Sequence, residues 1–261
     1  MLQNRKSIYL DLIPGEGYEE KLKNAAEAGF AAVEAPGIED ETERRELKAL
    51  YAKYKLVCPS VMTSGAWNYP ATSPDPEIRA KSAECYKTAI RTAVELGCDT
   101  ILTVPGAVTE EIDYMMAWDN AHKTLESVIP FAAENKIYMA VENVWNKFLL
   151  SPREMAQFID SFNSEWVGAY FDVGNILLYG YPQHWIKQLG SRIKKVHIKG
   201  SGHADWVTFK WTSLLEGDIN WKIVMAELKA IGFEGYLTAE LSPDDRGLKG
   251  IADDMDYILS L

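Results

Sequence analysis

The sequence predicts an α/β fold, a single (β/α)8 TIM barrel that takes in residues 1–261 as one domain. Three observations favour this architecture. The chain has 261 residues, close to the roughly 250 that one such barrel typically needs. Eight short apolar runs alternate with amphipathic stretches along its whole length, as strands alternate with helices in this fold. No linker rich in Pro, Gly or Ser divides the chain.

The eight apolar runs are rich in Val, Ile and Tyr, which is typical of buried parallel strands. An open, doubly wound sheet is the alternative fold. Its phosphate-binding turn, Gly-x-Gly-x-x-Gly, begins after the first run at Gly15 and Gly17 but does not continue, so the barrel is favoured. In chain order the predicted strands are 7–13, 31–35, 56–62, 100–105, 137–143, 166–173, 193–199 and 236–241.

The stretches between these runs carry start and stop signals for helices. Residues 151–154, Ser-Pro-Arg-Glu, form a capping box with proline at the first helical position. Asp75, followed by a proline, begins another helix. Apolar stripes at helical spacing run up to Gly190 and Gly232, which are typical helix stops.

Composition and charge limit the classes of partner. The formal net charge of −11 argues against a nucleic-acid partner, which would need a basic face. The cysteines at 58, 85 and 98 are odd in number and lack CxxC spacing, so neither a disulfide framework nor a thiolate zinc site is indicated. No stretch approaches the 18 or so apolar residues of a membrane span. We therefore expect a cytoplasmic protein with no nucleic-acid and no membrane partner.

Polar residues end four consecutive strands of the predicted barrel, on the face where barrel enzymes place their chemistry. Glu142, Asp172, His197 and Glu240 each stand in an otherwise apolar run. Singly, each has a structural alternative, since a carboxylate can cap a helix and a histidine can be a core residue. Three carboxylates buried together without a cation would be unfavourable, so the set favours a divalent metal. These ligand types suit Mn²⁺, with Mg²⁺, Co²⁺ and Zn²⁺ as alternatives.

Several motifs resemble those of a known family. Residues 139–199, with MAVENVWNKFLLSP, GAYFDVGN and RIKKVHIK, together with LLEGDINW and LTAEL, resemble the xylose-isomerase-like barrels, the sugar phosphate isomerase/epimerase group. The resemblance implies that Glu142, Asp172, His197 and Glu240 are metal ligands, and that Glu142 and Glu240 are also the catalytic acid/base pair. It implies an isomerase or epimerase of carbohydrate metabolism that removes a proton α to a carbonyl through a metal-stabilised enediolate. The substrate is then a small-molecule sugar or sugar phosphate, and homo-oligomerisation stays open.

Four further residues are candidates for substrate binding. Asn175 stands where the family's free-ketose 3-epimerases usually have a histidine, and an amide can bind a hydroxyl but cannot carry a proton at neutral pH. Lys199 should point to the same side as His197, either towards substrate or into a salt bridge. Trp67 follows the third strand and forms either a wall for a sugar face or a packed loop aromatic. Glu34 ends the second strand and either binds substrate or has a structural role.

Three other functions compete with the isomerase or epimerase. A lyase or dehydratase acting on a keto-sugar, keto-glycoside or inosose would use the same metal and base, and product analysis would distinguish it. A DNA repair endonuclease of this barrel type would need many more histidines than the four present. A non-catalytic sugar-binding barrel is disfavoured because all four ligand positions hold competent residues.

Overall fold

The computed structural model describes residues 5–203, 205 and 208–261. Eight parallel strands form a closed barrel, in the order β1-β10-β7-β6-β5-β4-β3-β2, which confirms the predicted fold and rules out the open sheet. The barrel strands are β1 (Lys6–Tyr9), β2 (Ala32–Pro36), β3 (Val61–Met62), β4 (Thr100–Thr103), β5 (Tyr138–Glu142), β6 (Val167–Asp172), β7 (Ile193–Ile198) and β10 (Leu237–Ala239).

Helices cover the outside of the barrel. None of those in the described part of the chain is both long and apolar enough to cross a membrane. The capping box predicted at 151–154 is present, with Ser151 and Glu154 bonding to each other's backbone amides. The helices are α1 (Gly17–Ala28), α2 (Glu41–Tyr54), α3 (Pro76–Leu96), α4 (Tyr114–Asn135), α5 (Pro152–Ser161), α6 (Val173–Ile176), α7 (Pro182–Leu189), α8 (Trp221–Ala230) and α9 (Gly247–Leu259).

Most strands are shorter than the sequence predicts, and β10 keeps only Leu237–Ala239 of the predicted 236–241. The first ends at Tyr9, and Leu10–Leu12 forms a 3₁₀ turn. The third keeps only Val61 and Met62, with an isolated bridge from Val57 to Ala32. Pro59 lies between Val57 and Val61. It has no N–H to donate and so interrupts the hydrogen-bond ladder of the third strand.

A β-hairpin inserted after β7 was missed by the sequence reasoning. It consists of β8 (Gly200–His203) and β9 (Phe209–Thr212), which pair antiparallel. The segment Gly-Ser-Gly-His has little intrinsic strand preference, so the hairpin depends on its tertiary contacts. It lies at the C-terminal end of β7, on the side of the barrel where the candidate site is found.

Inside the barrel, a small apolar cluster shows which side chains point towards the barrel axis. Leu102 of β4, Ala140 of β5 and Tyr170 of β6 pack together there. Because side chains alternate along a strand, Glu142 and Asp172, two positions further on, also point inward. A larger apolar cluster fills the space between the strands and the surrounding helices.

Candidate metal centre

The four strand-end residues meet at the C-terminal mouth of the barrel. Asp172 of β6 stands directly beside His197 of β7 in the parallel register. Thr238 of β10 pairs with His197 of β7. Two residues further along these two chain segments, Glu240 and Lys199 therefore lie on the same face. Glu142 pairs with Tyr170 of β6. Strand register therefore brings residues that are far apart in the chain to one point.

Glu142, Asp172, His197 and Glu240 each offer one ligand atom, and these four atoms all lie within 4.8 Å of one another. Asp172 and His197 are fully buried, and Glu142 is 6% exposed. Glu240 keeps 22% of its side chain exposed. Protein therefore covers the side chains of Glu142, Asp172 and His197, and solvent reaches the cluster at Glu240.

His197 is held by a carboxylate beneath it. Its Nε2 lies 2.8 Å from Glu34 Oε2. The other oxygen of Glu34 accepts hydrogen bonds from Ser60 Oγ and Tyr170 OH, both at 2.7 Å. With Nε2 committed to Glu34, Nδ1 faces the cluster, 3.6 Å from both Glu142 Oε1 and Glu240 Oε2. Nδ1 is buried and has no hydrogen-bond partner.

Asp172 is both a helix cap and a member of the cluster. Its Oδ1 accepts a hydrogen bond from the Asn175 backbone N–H at 2.7 Å and so caps α6. Its backbone is fixed by Asn143, whose side chain accepts from the Asp172 N–H and donates to the Asp172 carbonyl. Its Oδ2 is buried and makes no hydrogen bond, so this oxygen is directed into the cluster.

The Lys199 ammonium group contacts two carboxylates of the cluster. Its Nζ donates a hydrogen bond to Glu240 Oε2 and lies 3.0 Å from Asp172 Oδ2. The side chain is 13% exposed. These carboxylates raise the pKa of Lys199, in opposition to burial. Lys199 therefore forms a buried ion-pair network and compensates part of the negative charge.

The two glutamates of the cluster differ in acidity. Burial raises the pKa of Glu142 to about 7, against the opposing effect of His197. Burial acts in the same direction on Glu240, but the nearby His197 and Lys199 hold its pKa below the usual value. Without a bound metal, Glu142 thus titrates near neutral pH, whereas Glu240 is ionised there.

The donor set fits a divalent cation. His197 Nδ1 is a buried polar atom without a hydrogen bond, and such atoms are normally partnered. Asp172 Oδ2 also lacks a hydrogen bond and is paired only with the Lys199 ammonium, at 3.0 Å. Carboxylate oxygens and one imidazole nitrogen are common ligands of divalent metals. The Glu34 carboxylate on Nε2 is the outer support that a metal-bound imidazole ordinarily has. Glu142, Asp172, His197 and Glu240 would hold the ion.

The remaining candidates, Asn175, Glu34 and Trp67, are not among the four residues of the cluster. Asn175 is buried beside Asp172, and its side chain donates to the Asn143 carbonyl at 3.0 Å. Glu34 lies below His197 and bonds to His197, Ser60 and Tyr170. Trp67 is 57% exposed in the loop after β3, away from the wall of the pocket that adjoins Glu240.

Sequence reasoning missed three residues that surround the site. Tyr170 supports Glu34, and its position two residues before Asp172 in the same strand was a usable signal. Ser60 gives no such signal, since it precedes a two-residue strand. Trp211 comes from the hairpin and stacks on Trp145 with ring centroids 4.8 Å apart, a contact between distant segments.

The family described as the xylose isomerase-like TIM barrel matches residues 22–261. This chain therefore belongs to that family. The putative L-ribulose-5-phosphate 3-epimerase SgbU of Haemophilus influenzae is 23% identical over 256 residues, which cover 92% of this chain and 90% of SgbU. The uncharacterised protein MJ1311 of Methanocaldococcus jannaschii is 27% identical over 171 residues, so the match covers 62% of this chain and only 57% of MJ1311.

A solved structure shares the whole fold. A D-tagatose 3-epimerase-like protein superimposes with a TM-score of 0.84 at 22% identity, over 98% of this chain and 97% of the other. At that identity the likeness establishes the common barrel, and the chemistry has to be argued from the residues of this chain.

Proposed function

We propose that this protein is a divalent-metal-dependent isomerase or epimerase of a small-molecule sugar. The observation that carries the proposal is the position of two carboxylates, Glu142 and Glu240, both 3.6 Å from the unpartnered Nδ1 of His197. Two carboxylates beside one metal position are what a proton transfer between sugar carbons requires. The name of the relative SgbU, a putative sugar-phosphate epimerase, supports the same class.

The two glutamates divide the proton transfer between them. Glu240 is ionised and lines the open pocket, and because Lys199 occupies its Oε2, Oε1 accepts the proton from the sugar carbon. Glu142, which also lies 3.6 Å from His197 Nδ1, is the second carboxyl group and returns a proton to the sugar carbon. A bound divalent ion supplies Lewis-acid polarisation of the sugar carbonyl, which acidifies the neighbouring C–H group.

Other residues position the reacting groups. Glu34 keeps the His197 ring oriented through Nε2, so Nδ1 faces the cluster. Lys199 holds Glu240 in place and compensates negative charge at the pocket wall. Asn175 stays a candidate for contact with a substrate hydroxyl, and Trp67 for contact with a sugar face. From the donor set we propose Mn²⁺ as the ion, with Mg²⁺, Co²⁺ and Zn²⁺ as alternatives. The cytoplasmic location stays a prediction.

The test is a deuterium-exchange screen in D₂O. Ketoses, ketose phosphates and keto-glycosides are incubated with the protein and Mn²⁺, and the products are analysed by mass spectrometry and NMR. We expect one sugar to gain deuterium at carbon while its framework is conserved, and a chelator to abolish this exchange. Release of water or an aglycone would instead establish the lyase or dehydratase. Absence of exchange with Mn²⁺, and in repeats with Mg²⁺, Co²⁺ and Zn²⁺, would favour a sugar-binding barrel without catalysis.

A further inference from the structure

One pocket adjoins the acidic cluster and reaches into the loop that follows β10. Its volume is about 760 Å³, and its wall includes Lys199, Glu240, Trp211 and, from that loop, Asp244 and Arg246. This is within the range of roughly 300–1,000 Å³ that holds ligands of drug size. A single hexose is smaller than such a ligand. The pocket thus has room for a substituent on the sugar that reaches Glu240.

The cations in the described wall of this pocket are already paired. Arg246 donates from Nη1 and Nη2 to Asp254 at 2.9 Å, and from Nη2 and Nε to Asp244 at 2.8–3.3 Å. Lys199 is paired with Glu240 and Asp172. The wall also holds more carboxylates than cations, namely Glu216, Glu240, Asp244 and Asp254. A phosphate dianion would therefore meet a surface of its own sign.

The usual phosphate position of this fold is occupied by a carboxylate. In (β/α)8 barrels phosphate groups often bind at the loops after the last two strands and at a helix N-terminus. Here Asp244 accepts the Arg246 N–H through Oδ1 at 2.8 Å, immediately before α9 begins. Ser213, from the loop after β9, donates to Asp244 Oδ2 at 2.8 Å. Hydrogen bonds from residues of both loops therefore fix Asp244 at the place where a phosphate group would bind.

Trp211 contributes an aromatic side chain to the wall, with Lys199 Nζ 5.1 Å from its ring centroid. Trp211 is 49% exposed and stacks on Trp145 with an interplanar angle of 16°. Trp145 is itself fixed, because its indole N–H donates to the Asn175 carbonyl at 2.8 Å. Indole rings provide a large, rigid apolar surface, and the C–H groups of a sugar ring pack against such surfaces without needing a charge.

We propose that this pocket selects an uncharged sugar that carries a glycosyl substituent, with the substituent packed against Trp211, and that it rejects sugar phosphates. The inference rests on the function proposed above, since it assumes that the reacting sugar lies at Glu240. Asp244 acts here as a specificity-determining residue. It binds Arg246 and occupies the phosphate position.

Binding to a matched pair of ligands tests this proposal. Isomaltulose and D-fructose 6-phosphate share one ketose and differ only in the group on its O6, which is a neutral glucosyl unit or a phosphate. Calorimetry with the full chain, both Mn²⁺-loaded and chelator-treated, should show about tenfold tighter binding of isomaltulose. Equal or tighter binding of D-fructose 6-phosphate would overturn the proposal.

Variants assign the preference to residues. Trp211→Ala should weaken isomaltulose binding roughly three- to tenfold and leave D-fructose binding nearly unchanged. Tyr257→Ala removes an exposed aromatic of α9 and is the matched control. Asp244→Asn keeps a side-chain oxygen for the Arg246 backbone N–H but removes one of the two carboxylates paired with the Arg246 guanidinium, and should tighten D-fructose 6-phosphate binding about tenfold. If Trp211→Ala binds isomaltulose normally, or Asp244→Asn gains no phosphate affinity, the proposal fails.

Deuterium exchange in the same samples separates the two proposals. Exchange with sugars combined with a preference for the phosphate would overturn the pocket assignment alone. Preference for isomaltulose without exchange in any sugar would overturn the enzymatic function and leave the pocket assignment standing.

Discussion

Glu34 of β2 and His197 of β7 meet inside the barrel, with Glu34 Oε2 2.8 Å from His197 Nε2. The two residues are 163 positions apart in the chain and both are fully buried. This contact determines which ring nitrogen of His197 faces the strand ends. It makes Glu34 the support of a candidate metal ligand, and of the two roles that the sequence left open, the contact favours the structural one.

Replacing Glu34 by Gln should lower metal affinity without unfolding the protein. The amide retains most of the shape but loses the charge that orients the imidazole, and such outer-shell changes typically reduce metal affinity about 10–100-fold. Calorimetric titration with Mn²⁺, together with circular dichroism as a check of the fold, measures this effect. Glu39→Gln, an exposed glutamate in the loop after β2, is the matched control. Unchanged affinity in Glu34→Gln would contradict the supporting role.

Glu142→Gln and Glu240→Gln should each reduce turnover by about 10²–10⁴-fold, because each removes one of the two groups that move the proton. Steady-state rates on the sugar found by the exchange screen provide the measurement. Glu165→Gln, at the opposite end of the barrel just before β6, should retain full activity. Wild-type rates in either cluster variant would remove that residue from the acid/base pair.

Two substitutions at Asp172 separate its roles as cap and ligand. Asn keeps the oxygen that caps α6, whereas Ala removes it, so Asp172→Ala should be about 1 kcal/mol less stable than Asp172→Asn. Both should bind less metal than the wild type, because both lack the charged Oδ2. Denaturant titration and metal analysis after dialysis measure the two effects. Full metal stoichiometry in Asp172→Asn would count against its place in the ligand set.

Lys199→Met should destabilise the chelator-treated protein more than the metal-loaded one. The substitution leaves Glu240 and Asp172 without their cation, and breaking a buried ion pair typically lowers the free energy of unfolding by about 3–5 kcal/mol. A bound divalent metal supplies positive charge at the same carboxylates and should reduce the deficit. Melting curves with chelator and with Mn²⁺ test this, with the exposed Lys187→Met as control. Equal losses under both conditions would show that Lys199 does not compensate the cluster.

Much of the architecture was accessible from the sequence. The alternation of eight apolar runs with capped helices predicted the barrel, and the position of Glu142, Asp172, His197 and Glu240 at strand ends predicted their convergence. Both inferences rest on local periodicity, because parallel strands that close into a barrel all end on one face. The missed strand ends, such as the interruption at Pro59, follow from hydrogen-bond details that a pattern of apolar residues does not contain.

The sequence by itself determined which residue types stand at the strand ends, since that depends only on neighbours along the chain. The tertiary structure alone decided which of them touch: Glu34 beneath His197, Lys199 between Asp172 and Glu240, and Arg246 bound by Asp244 and Asp254. The first two contacts join separate strands, and the third lies within the segment that leads into α9; all three depend on how the side chains pack in the folded chain. Whether a lysine or arginine is free to bind an anion is therefore a property of the folded protein, because the pairing that occupies its charge exists only there.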